Sequence, residues 1–321
     1  MIVVGSRGSA LALWQARHIA ARLAELGAET RIEIIKTSGD KIQDVPLAKV
    51  GGKGLFTKEI EEALLDRSID LAVHSLKDVP TELPSGLILA AIPEREEPRD
   101  ALIGCAVADL KQGLRVGTSS LRRSAQLLAH SPGLRIEMLR GNVDTRLRKL
   151  DEGQYDAIVL AAAGLRRLGW QDRIRELIPV EIMCPAVGQG ALAIETRDDG
   201  GAAHRLAGKL DHPASRAAVT AERALLLVLG GGCQVPVGAH AWLEGVTAPS
   251  GHGSVTDHET SIPSRDQRER LRMVAVVAQP DGTHVVRGEL TGVDPAETGA
   301  ALGRTLLDQG AREILQEVYS A

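Results

Sequence analysis

The order of apolar and polar residues predicts an α/β unit at the start of the chain. Residues 2–5 form a short apolar strand, and Ser9 can cap a helix that stops at Gly27. Strands are predicted at 31–36 and 69–74, with a helix at 57–66 between them. Strands that alternate with helices in this way are expected to lie parallel in one sheet.

The same pattern restarts further along the chain and predicts a second α/β unit. Its strands are expected at 115–117, 135–139 and 156–160, and its helices at 120–129 and 143–150. The polar, proline-bounded segment 93–98 suits a crossing between the two units. Residues 187–190 suggest a second crossing, after which a strand at 191–196 could rejoin the first sheet.

From Pro213 onward the pattern predicts a smaller α+β unit. A helix through Leu229 precedes three glycines, strands at 237–243, 271–278 and 284–290, and a closing helix from Pro295. Segment 249–270 has only two aliphatic residues, so we expect a mobile insertion with little to bury. The predicted domains are 1–94 with 191–209, then 95–190, and finally 210–321.

Composition narrows the class of protein. The 321 residues are 44% apolar and 25% charged, which is typical of globular domains. No apolar run is long enough for a membrane helix, residues 1–9 do not resemble a targeting segment, and the three cysteines form no close pair. We therefore expect a cytoplasmic protein without a metal knuckle, and we expect a monomer because no exposed heptad or apolar edge is evident.

Nucleic acid is a poor candidate partner. The net charge is −4 and only 2% of residues are aromatic, so a basic surface and stacking platforms are both lacking.

Arginines recur at the junctions between predicted strands and the helices that follow them. The set is Arg7, Arg122, Arg123, Arg140, Arg146, Arg166 and Arg167. Helix N-termini and guanidinium groups both bind carboxylates or phosphates. Each arginine alone is more often part of a solvated ion pair, but the repetition at equivalent strand ends favours an anion site. Neither the stretch 51–54 nor 5–8 has the spacing of a nucleotide-binding glycine loop, so carboxylates are the expected ligands.

Two further positions could carry chemistry. Lys77 and Asp78 follow a predicted parallel strand, at the sheet edge where α/β proteins bind ligands, although a simple turn is an equal alternative. Cys233 lies in a glycine-rich loop that could present a thiol to a cleft. Cys105 and Cys184 are expected to be small buried apolar residues, the usual state of a free cysteine.

Seven motifs together resemble one family. They are Gly5-Ser6-Arg7-Gly8-Ser9, Gly52-Lys53-Gly54-Leu55-Phe56, Val73-His74-Ser75-Leu76-Lys77-Asp78-Val79-Pro80, Gly117-Thr118-Ser119-Ser120-Leu121-Arg122-Arg123, Leu139-Arg140-Gly141-Asn142-Val143, Gly188-Gln189-Gly190-Ala191 and Gly232-Cys233-Gln234-Val235-Pro236. In type and order they resemble the porphobilinogen deaminases, also called hydroxymethylbilane synthases. The departures are Ala10 where the family often has proline, Asp144 after the fifth motif, and the insertion at 249–270.

This resemblance implies two α/β domains like the lobes of a periplasmic binding protein, with a cleft between them, and a third α+β domain. It implies a transferase of porphyrin and haem biosynthesis that joins four porphobilinogen molecules head to tail, releases ammonia and yields hydroxymethylbilane. The partners are then porphobilinogen and the growing polypyrrole chain. The implied cofactor is a dipyrromethane held through a thioether to Cys233.

The resemblance also implies residue roles. Asp78 matches the catalytic carboxylate, which would stabilise positive charge on pyrrole nitrogen and relay a proton. The positions matching cofactor-binding residues are Cys233, Lys77, Arg122, Arg123, Ser120, Thr118, Arg146 and Gln189. Those matching substrate-binding residues are Arg7, Ser9, Lys53, Phe56, Arg140 and Arg167. No metal is implied.

Two other classes of protein remain as alternatives. A non-catalytic solute receptor would share the first two units but would carry no covalent ligand and would leave Cys233 unexplained. A nucleotide-dependent transferase would need a phosphate-binding loop, which the sequence does not contain.

Overall fold

The computed structural model describes residues 1–41, 54–230, 235–244 and 270–320. Lys53, Cys233 and all but the last residue of the predicted insertion 249–270 lie outside these ranges. The structure therefore bears on the other predicted positions.

The first unit contains a five-stranded mixed sheet. Its strands are β1 (Ile2–Ser6), β2 (Thr30–Ile34), β3 (Leu71–Ser75), β4 (Leu87–Ala91) and β10 (Leu192–Arg197), in the order β2-β1-β3-β10-β4. The strand β1 is parallel to β2 and β3, whereas β10 is antiparallel to β3 and β4. The predicted parallel strands and the returning strand are thus both confirmed.

Helices α1 (Ala10–Glu25), α2 (Ser38–Lys41), α3 (Lys58–Leu65) and α7 (Ala202–Gly208) belong to this unit. The backbone N–H of Ala12 donates to the Ser9 side chain at 3.3 Å, so Ser9 caps α1 as predicted. Ile19 and Leu23 of α1 are fully buried against the sheet. Burial of each such side chain contributes roughly 1.5–3 kcal/mol to folding.

The second unit repeats this plan. Strands β5 (Asp100–Ile103), β6 (Arg115–Gly117), β7 (Arg135–Glu137), β8 (Ala157–Ala161) and β9 (Glu176–Leu177) form a sheet in the order β7-β6-β8-β5-β9. Its helices are α4 (Leu121–His130), α5 (Val143–Asp151) and α6 (Ala162–Arg167). The strand β6 is parallel to β7 and β8, as predicted.

Two chain segments connect these sheets, as predicted for 93–98 and 187–190. The first runs from β4 to β5, and the second from β9 to β10. They pack against each other at Gly190, where an added Cβ would collide with the carbonyl oxygen of Glu96. Gly190 also has a φ of +87°, which a side chain would disfavour. A glycine is therefore needed for the two crossings to touch.

The last unit is a three-stranded antiparallel sheet covered by helices. It contains α8 (Pro213–Val228), β11 (Val237–Leu243), β12 (Leu271–Ala278), β13 (Val285–Gly292), α9 (Pro295–Leu306), a π-helical turn (Leu307–Ala311) and α10 (Arg312–Ser320). Its core includes Leu225 of α8, Met273 of β12 and Leu306 of α9, all fully buried. The predicted α/β fold with a smaller α+β unit is confirmed.

Several short elements were not predicted from the sequence. These are α2, β4, β5, β9, α7 and α10 together with the short 3-10 turns. The predicted strand at 135–139 is also too long, because β7 ends at Glu137. Strands of two to five residues carry too few alternations for the apolar pattern to reveal them.

Candidate functional site

Asp78 lies where the central strand of the first sheet ends. The strand β3 continues into a 3-10 turn (Leu76–Asp78), which places Lys77 and Asp78 at the sheet edge. Leu76 anchors the turn because its side chain is buried and its N–H donates to the carbonyl oxygen of Ala191 at 3.0 Å. Gly188 of the second crossing lies against Leu76, where a Cβ would come within 2.9 Å of Leu76 Cγ. The turn is thus held by the chain segment that joins the two sheets.

Lys77 occupies an environment that disfavours its charge. Burial lowers its pKa to about 8, although the adjacent carboxylate of Asp78 opposes this shift. The guanidinium groups of Arg123 and Arg122 lower the pKa further. These arginines belong to the second sheet's unit, so Lys77 faces them across the space between the two sheets.

Arg140 and Arg146 approach the same space at the start of α5. The Arg146 Nε–H donates to the carbonyl oxygen of Gly141 at 2.7 Å. Burial lowers the pKa of Arg146 to about 10, the charges of Arg123 and Arg140 lower it further, and Asp78 acts in the opposite direction. The structure therefore places Asp78 within electrostatic range of Arg146 from the second unit.

Arg122 and Arg123 share one buried partner that the sequence analysis did not identify. Asp100, the first residue of β5, is fully buried and accepts hydrogen bonds from Arg122 Nη1 at 2.7 Å and Arg123 Nε at 2.9 Å. Burial alone would raise the pKa of Asp100, but the two guanidinium groups outweigh it and hold the pKa well below its usual range. One carboxylate faces two cations, so the cluster keeps a positive charge.

The pair also donates to backbone carbonyl groups. Arg122 Nη1 donates to the carbonyl oxygen of Cys184 at 2.7 Å, and Arg123 Nη1 donates to that of Val159 at 3.0 Å. Gln189, from the second crossing, donates to Asp100 at 3.0 Å. Arg122, Arg123 and Gln189 therefore support the fold in addition to any role in binding a ligand.

Thr118 and Ser120 shape the loop before α4. Thr118 is buried, and its Oγ1 accepts a hydrogen bond from the N–H of Ser120 at 3.2 Å. Ser120 occupies the N-cap position of α4, but its side chain makes no capping hydrogen bond. The loop places both residues one turn before the arginine pair.

Of the predicted substrate-binding residues, Arg7 and Ser9 lie just before α1, and Arg167 lies at the end of α6. Arg7 stacks over the ring of Phe56, with 4.1 Å from Cζ to the ring centroid. Arg167 is buried, donates to the carbonyl oxygen of Gly190 at 2.6 Å, and has its pKa lowered to about 10 by burial. Its neighbour Arg166 is exposed and pairs with Glu96 at 2.9 Å, so the ion-pair alternative holds there.

The described cysteines are poor nucleophiles. Burial raises the pKa of Cys184 to about 12 and also raises that of Cys105. Cys184 is buried as predicted, but the prediction for Cys105 was wrong in degree, because that residue is only partly buried. The cause is its place in a turn just after β5, at the margin of the core.

A second buried acid that the sequence analysis missed joins all three units. Glu222 of α8 is fully buried and forms a two-pronged salt bridge with Arg95 of the first crossing, at 2.6 and 3.1 Å. It also accepts the N–H of Gly188 at 2.7 Å and of Ala241 at 2.9 Å. In sequence, a glutamate within an amphipathic helix is typical of a solvated face, so no signal indicated this role.

Among the residues that the structure describes, no helix has both the length and the apolar character needed to cross a membrane. The same residues contain no group of three or more His, Cys, Asp or Glu side chains arranged to hold a metal ion.

Comparisons with known proteins agree across the chain. Residues 2–205 match the sequence model described as porphobilinogen deaminase, dipyromethane cofactor binding domain, and residues 216–308 match the porphobilinogen deaminase C-terminal domain. A porphobilinogen deaminase from Syntrophobacter fumaroxidans is 48% identical, with 100% of this chain and 99% of that protein covered. One from Nitratidesulfovibrio vulgaris is 50% identical, with 100% and 97% covered.

The solved structures found by comparison are more distant. A periplasmic substrate-binding protein of an ABC transporter from Coxiella burnetii is 15% identical, with a TM-score of 0.41. That alignment covers 66% of this chain and 93% of the other. The fold assignment therefore rests on the sheet topology of this chain and not on this alignment.

Proposed function

Because the chain belongs to the porphobilinogen deaminase family, we propose that it is a hydroxymethylbilane synthase whose reaction takes place between the two five-stranded sheets. It joins four porphobilinogen molecules in sequence and releases one ammonia at each coupling. The supporting observation is that charges of the two units act on each other: Arg123 and Arg122 lower the pKa of Lys77, and Asp78 acts on the pKa of Arg146. This arrangement combines a carboxylate with a surplus of cations.

The described residues fit a dipyrromethane cofactor. Such a cofactor carries carboxylate side chains, and the buried cluster of two arginines around one aspartate retains the positive charge needed to hold them. When bound, the cofactor supplies the free pyrrole carbon at which chain growth begins. We propose that Lys77, Thr118, Ser120, Arg122, Arg123, Arg146 and Gln189 hold it.

Attachment is assigned to Cys233. The two described thiols have raised pKa values and lie in or beside apolar core, so neither suits a thioether. Cys233 lies in the segment between the end of α8 at Val228 and the start of β11 at Val237. Glu222 on α8 contacts both crossings, so the helix that precedes Cys233 in the chain is joined to the segments that lead to and from the two sheets.

Asp78 is the proposed catalytic residue. Loss of ammonia from porphobilinogen leaves an electron-poor ring, and positive charge develops on pyrrole nitrogen as the new carbon–carbon bond forms. The Asp78 carboxylate accepts hydrogen bonds from pyrrole N–H groups, stabilises that charge and relays the proton released after coupling.

The substrate's acetate and propionate groups are the proposed ligands of the second set of residues. Arg7, Ser9, Lys53, Phe56, Arg140 and Arg167 form this set, and Phe56 supports the guanidinium of Arg7 by stacking. Each coupling adds two carboxylates, so successive arginines would act at successive stages of elongation.

The three-domain division at 1–94 with 191–209, 95–190 and 210–321 is part of this proposal, as is a cytoplasmic monomer. The sheet memberships support the division, because the first sheet takes β10 from the far side of the second unit.

Intact mass of the purified protein tests the proposal. We expect an adduct of two linked pyrroles, located on Cys233 by peptide mapping, and hydroxymethylbilane as the product formed from porphobilinogen. Cys233→Ser should fold yet carry no adduct, whereas Cys105→Ser should keep it. A solute receptor would instead show the unmodified mass and no product.

A further inference from the structure

A cavity of about 730 Å³ lies between α1 and α6, beside the proposed substrate-binding residues. It is lined by Ala10, Leu13, Trp14, Arg17 and residues 166–169. Ala10 directly follows Ser9, and Arg167 belongs to the proposed substrate set. The cavity therefore shares Arg167 with the proposed substrate-binding set, and its other lining residues have no assigned role.

The charge of this cavity is positive. Its lining contains three guanidinium groups and no carboxylate. Arg166 is neutralised by Glu96 at 2.9 Å and Glu97 at 3.7 Å. In the described ranges of the chain, no carboxylate pairs with Arg17 or with Arg167, whose guanidinium donates to a backbone carbonyl. Glu96 acts on the charge of Arg167 without forming an ion pair, and the two guanidinium groups together leave a net positive charge for an anionic ligand.

An aromatic side chain adds an apolar surface. Trp14 stacks on His18 of the same helix, with ring centroids 5.1 Å apart and planes 7° from parallel. Burial lowers the pKa of His18, and nearby Arg22 and Arg167 lower it further, so the stacked imidazole is neutral at pH 7. The stack fixes the indole, and Leu13 extends the apolar wall beside it.

We propose that this cavity binds a pyrrole ring through Trp14 and its two carboxylates through Arg17 and Arg167. A guanidinium can hold a carboxylate with two parallel hydrogen bonds, and two such groups match one acetate and one propionate. This inference rests on the proposed function. The ring belongs either to incoming porphobilinogen or to the end of the lengthening chain, since both carry the same side chains.

The test compares holoenzymes with Arg17→Gln, Trp14→Leu and a control, Arg22→Gln. Arg22 is exposed on the same helix and pairs with Glu25 at 3.3 Å, outside the cavity lining. For each protein, KM and kcat for porphobilinogen are measured, and intact mass records the enzyme-bound adducts after limiting porphobilinogen is added. Wild type must first show the two-pyrrole adduct and tetrapyrrole product, so failure of the proposed function is seen before any variant is compared.

If the ligand is incoming porphobilinogen, we expect Arg17→Gln and Trp14→Leu to raise KM at least fivefold and to leave the adduct pattern unchanged. If the ligand is the end of the growing chain, we expect KM within twofold of wild type and accumulation of adducts with three or four added pyrroles. Both results support the site. Wild-type KM, kcat and adduct patterns in both variants would overturn it, as would equal effects from Arg22→Gln.

Discussion

At the scale of single residues, burial and the carboxylate of Asp78 act in opposite directions on the charge of Lys77. Burial makes the positive charge of Lys77 costly and lowers its pKa to about 8, while Asp78 supports that charge from the next position. An ordinary lysine has a pKa of about 10.4 and stays charged throughout the physiological range. Lys77 is therefore poised to lose its charge in mildly alkaline solution.

This shift predicts a pH dependence of cofactor loading. As pH rises through about 8, Lys77 loses its proton and its attraction for the cofactor's carboxylates, so the rate of adduct formation on the unloaded protein should fall above that pH. Lys77→Arg keeps its charge and should remove this decline. Time-resolved intact mass between pH 7 and 10 is the measurement, and parallel profiles for both proteins would exclude the role of Lys77.

Replacement of Asp78 should separate binding from chemistry. Asp78→Asn preserves shape but loses the charge that stabilises the cationic ring, so we expect kcat to fall at least about a hundredfold, as for removal of one well-placed electrostatic group. Intact mass should still show the two-pyrrole adduct. The control Asp172→Asn, at an exposed position in another turn, should stay within twofold of wild type. Near-normal single-turnover rates for Asp78→Asn would remove this residue from the chemistry.

At the scale of elements, a buried ion cluster fixes α4 to β5. Both arginines in the first turn of α4 reach Asp100 at the first position of β5. Removal of one partner from such a cluster leaves an uncompensated buried charge. The arginines predicted to hold the cofactor therefore have a structural role as well, and the two roles need separate measurements.

We expect Asp100→Asn to lower the free energy of unfolding by about 3–5 kcal/mol, the cost of breaking a buried ion pair from one side. The exposed pair of Arg115 with Asp156, at 2.7 Å, is a matched comparison. Its disruption by Asp156→Asn should cost less than about 1 kcal/mol. Urea unfolding of the two variants measures both values, and equal losses would show that burial of the Asp100 cluster adds nothing.

Sequence pattern predicted most of the long elements but few of the short ones. The helix α1 was predicted because Ser9, a run of spaced apolar residues and Gly27 all agree on its limits. The strand β5 was missed because it has only four residues and begins with an aspartate, which is more typical of a turn. Burial of that aspartate depends on arginines more than twenty positions away, which local pattern does not encode.

The predicted site residues and the missed Glu222 differ in how far along the chain their partners lie. Lys77, Asp78 and the arginines could be placed from the sequence because motifs and strand ends mark them locally. Glu222 could not, because its partners Arg95, Gly188 and Ala241 are brought together only when the sheets and the last unit have packed. Local motifs thus predict residue chemistry, whereas long-range contacts that hold the units together need the structure.

At the scale of the whole molecule, Glu222 is one place where both crossings meet the unit proposed to carry the cofactor. Its carboxylate binds Arg95 in the first crossing and the N–H of Gly188 in the second, and it also accepts the N–H of Ala241 in β11. Burial opposes its charge, but Arg95 and His240 outweigh this and lower the pKa of Glu222 below its usual value. One ionised group therefore links both crossings to the last unit.

Glu222→Gln should loosen this junction without removing the catalytic group. The amide keeps the shape but loses the charge that pairs with Arg95, so we expect the free energy of unfolding to fall by about 3–5 kcal/mol. Hydrogen exchange at the amides of Gly188 and Ala241 should accelerate, because both donate to this carboxylate. The exposed pair of Glu289 with Arg272, at 3.0 Å, provides the control Glu289→Gln, which should change neither quantity appreciably.

A double variant sharpens this prediction about Glu222. Glu222→Met combined with Arg95→Met removes both charges, so it should recover part of the stability lost by Glu222→Met alone, since no buried charge is left unpaired. Recovery should be incomplete, because the N–H groups of Gly188 and Ala241 still lack their acceptor. Urea unfolding of the two single variants and the double variant gives the coupling energy. A value near zero would mean that Arg95 and Glu222 act independently and that their ion pair does not stabilise the junction.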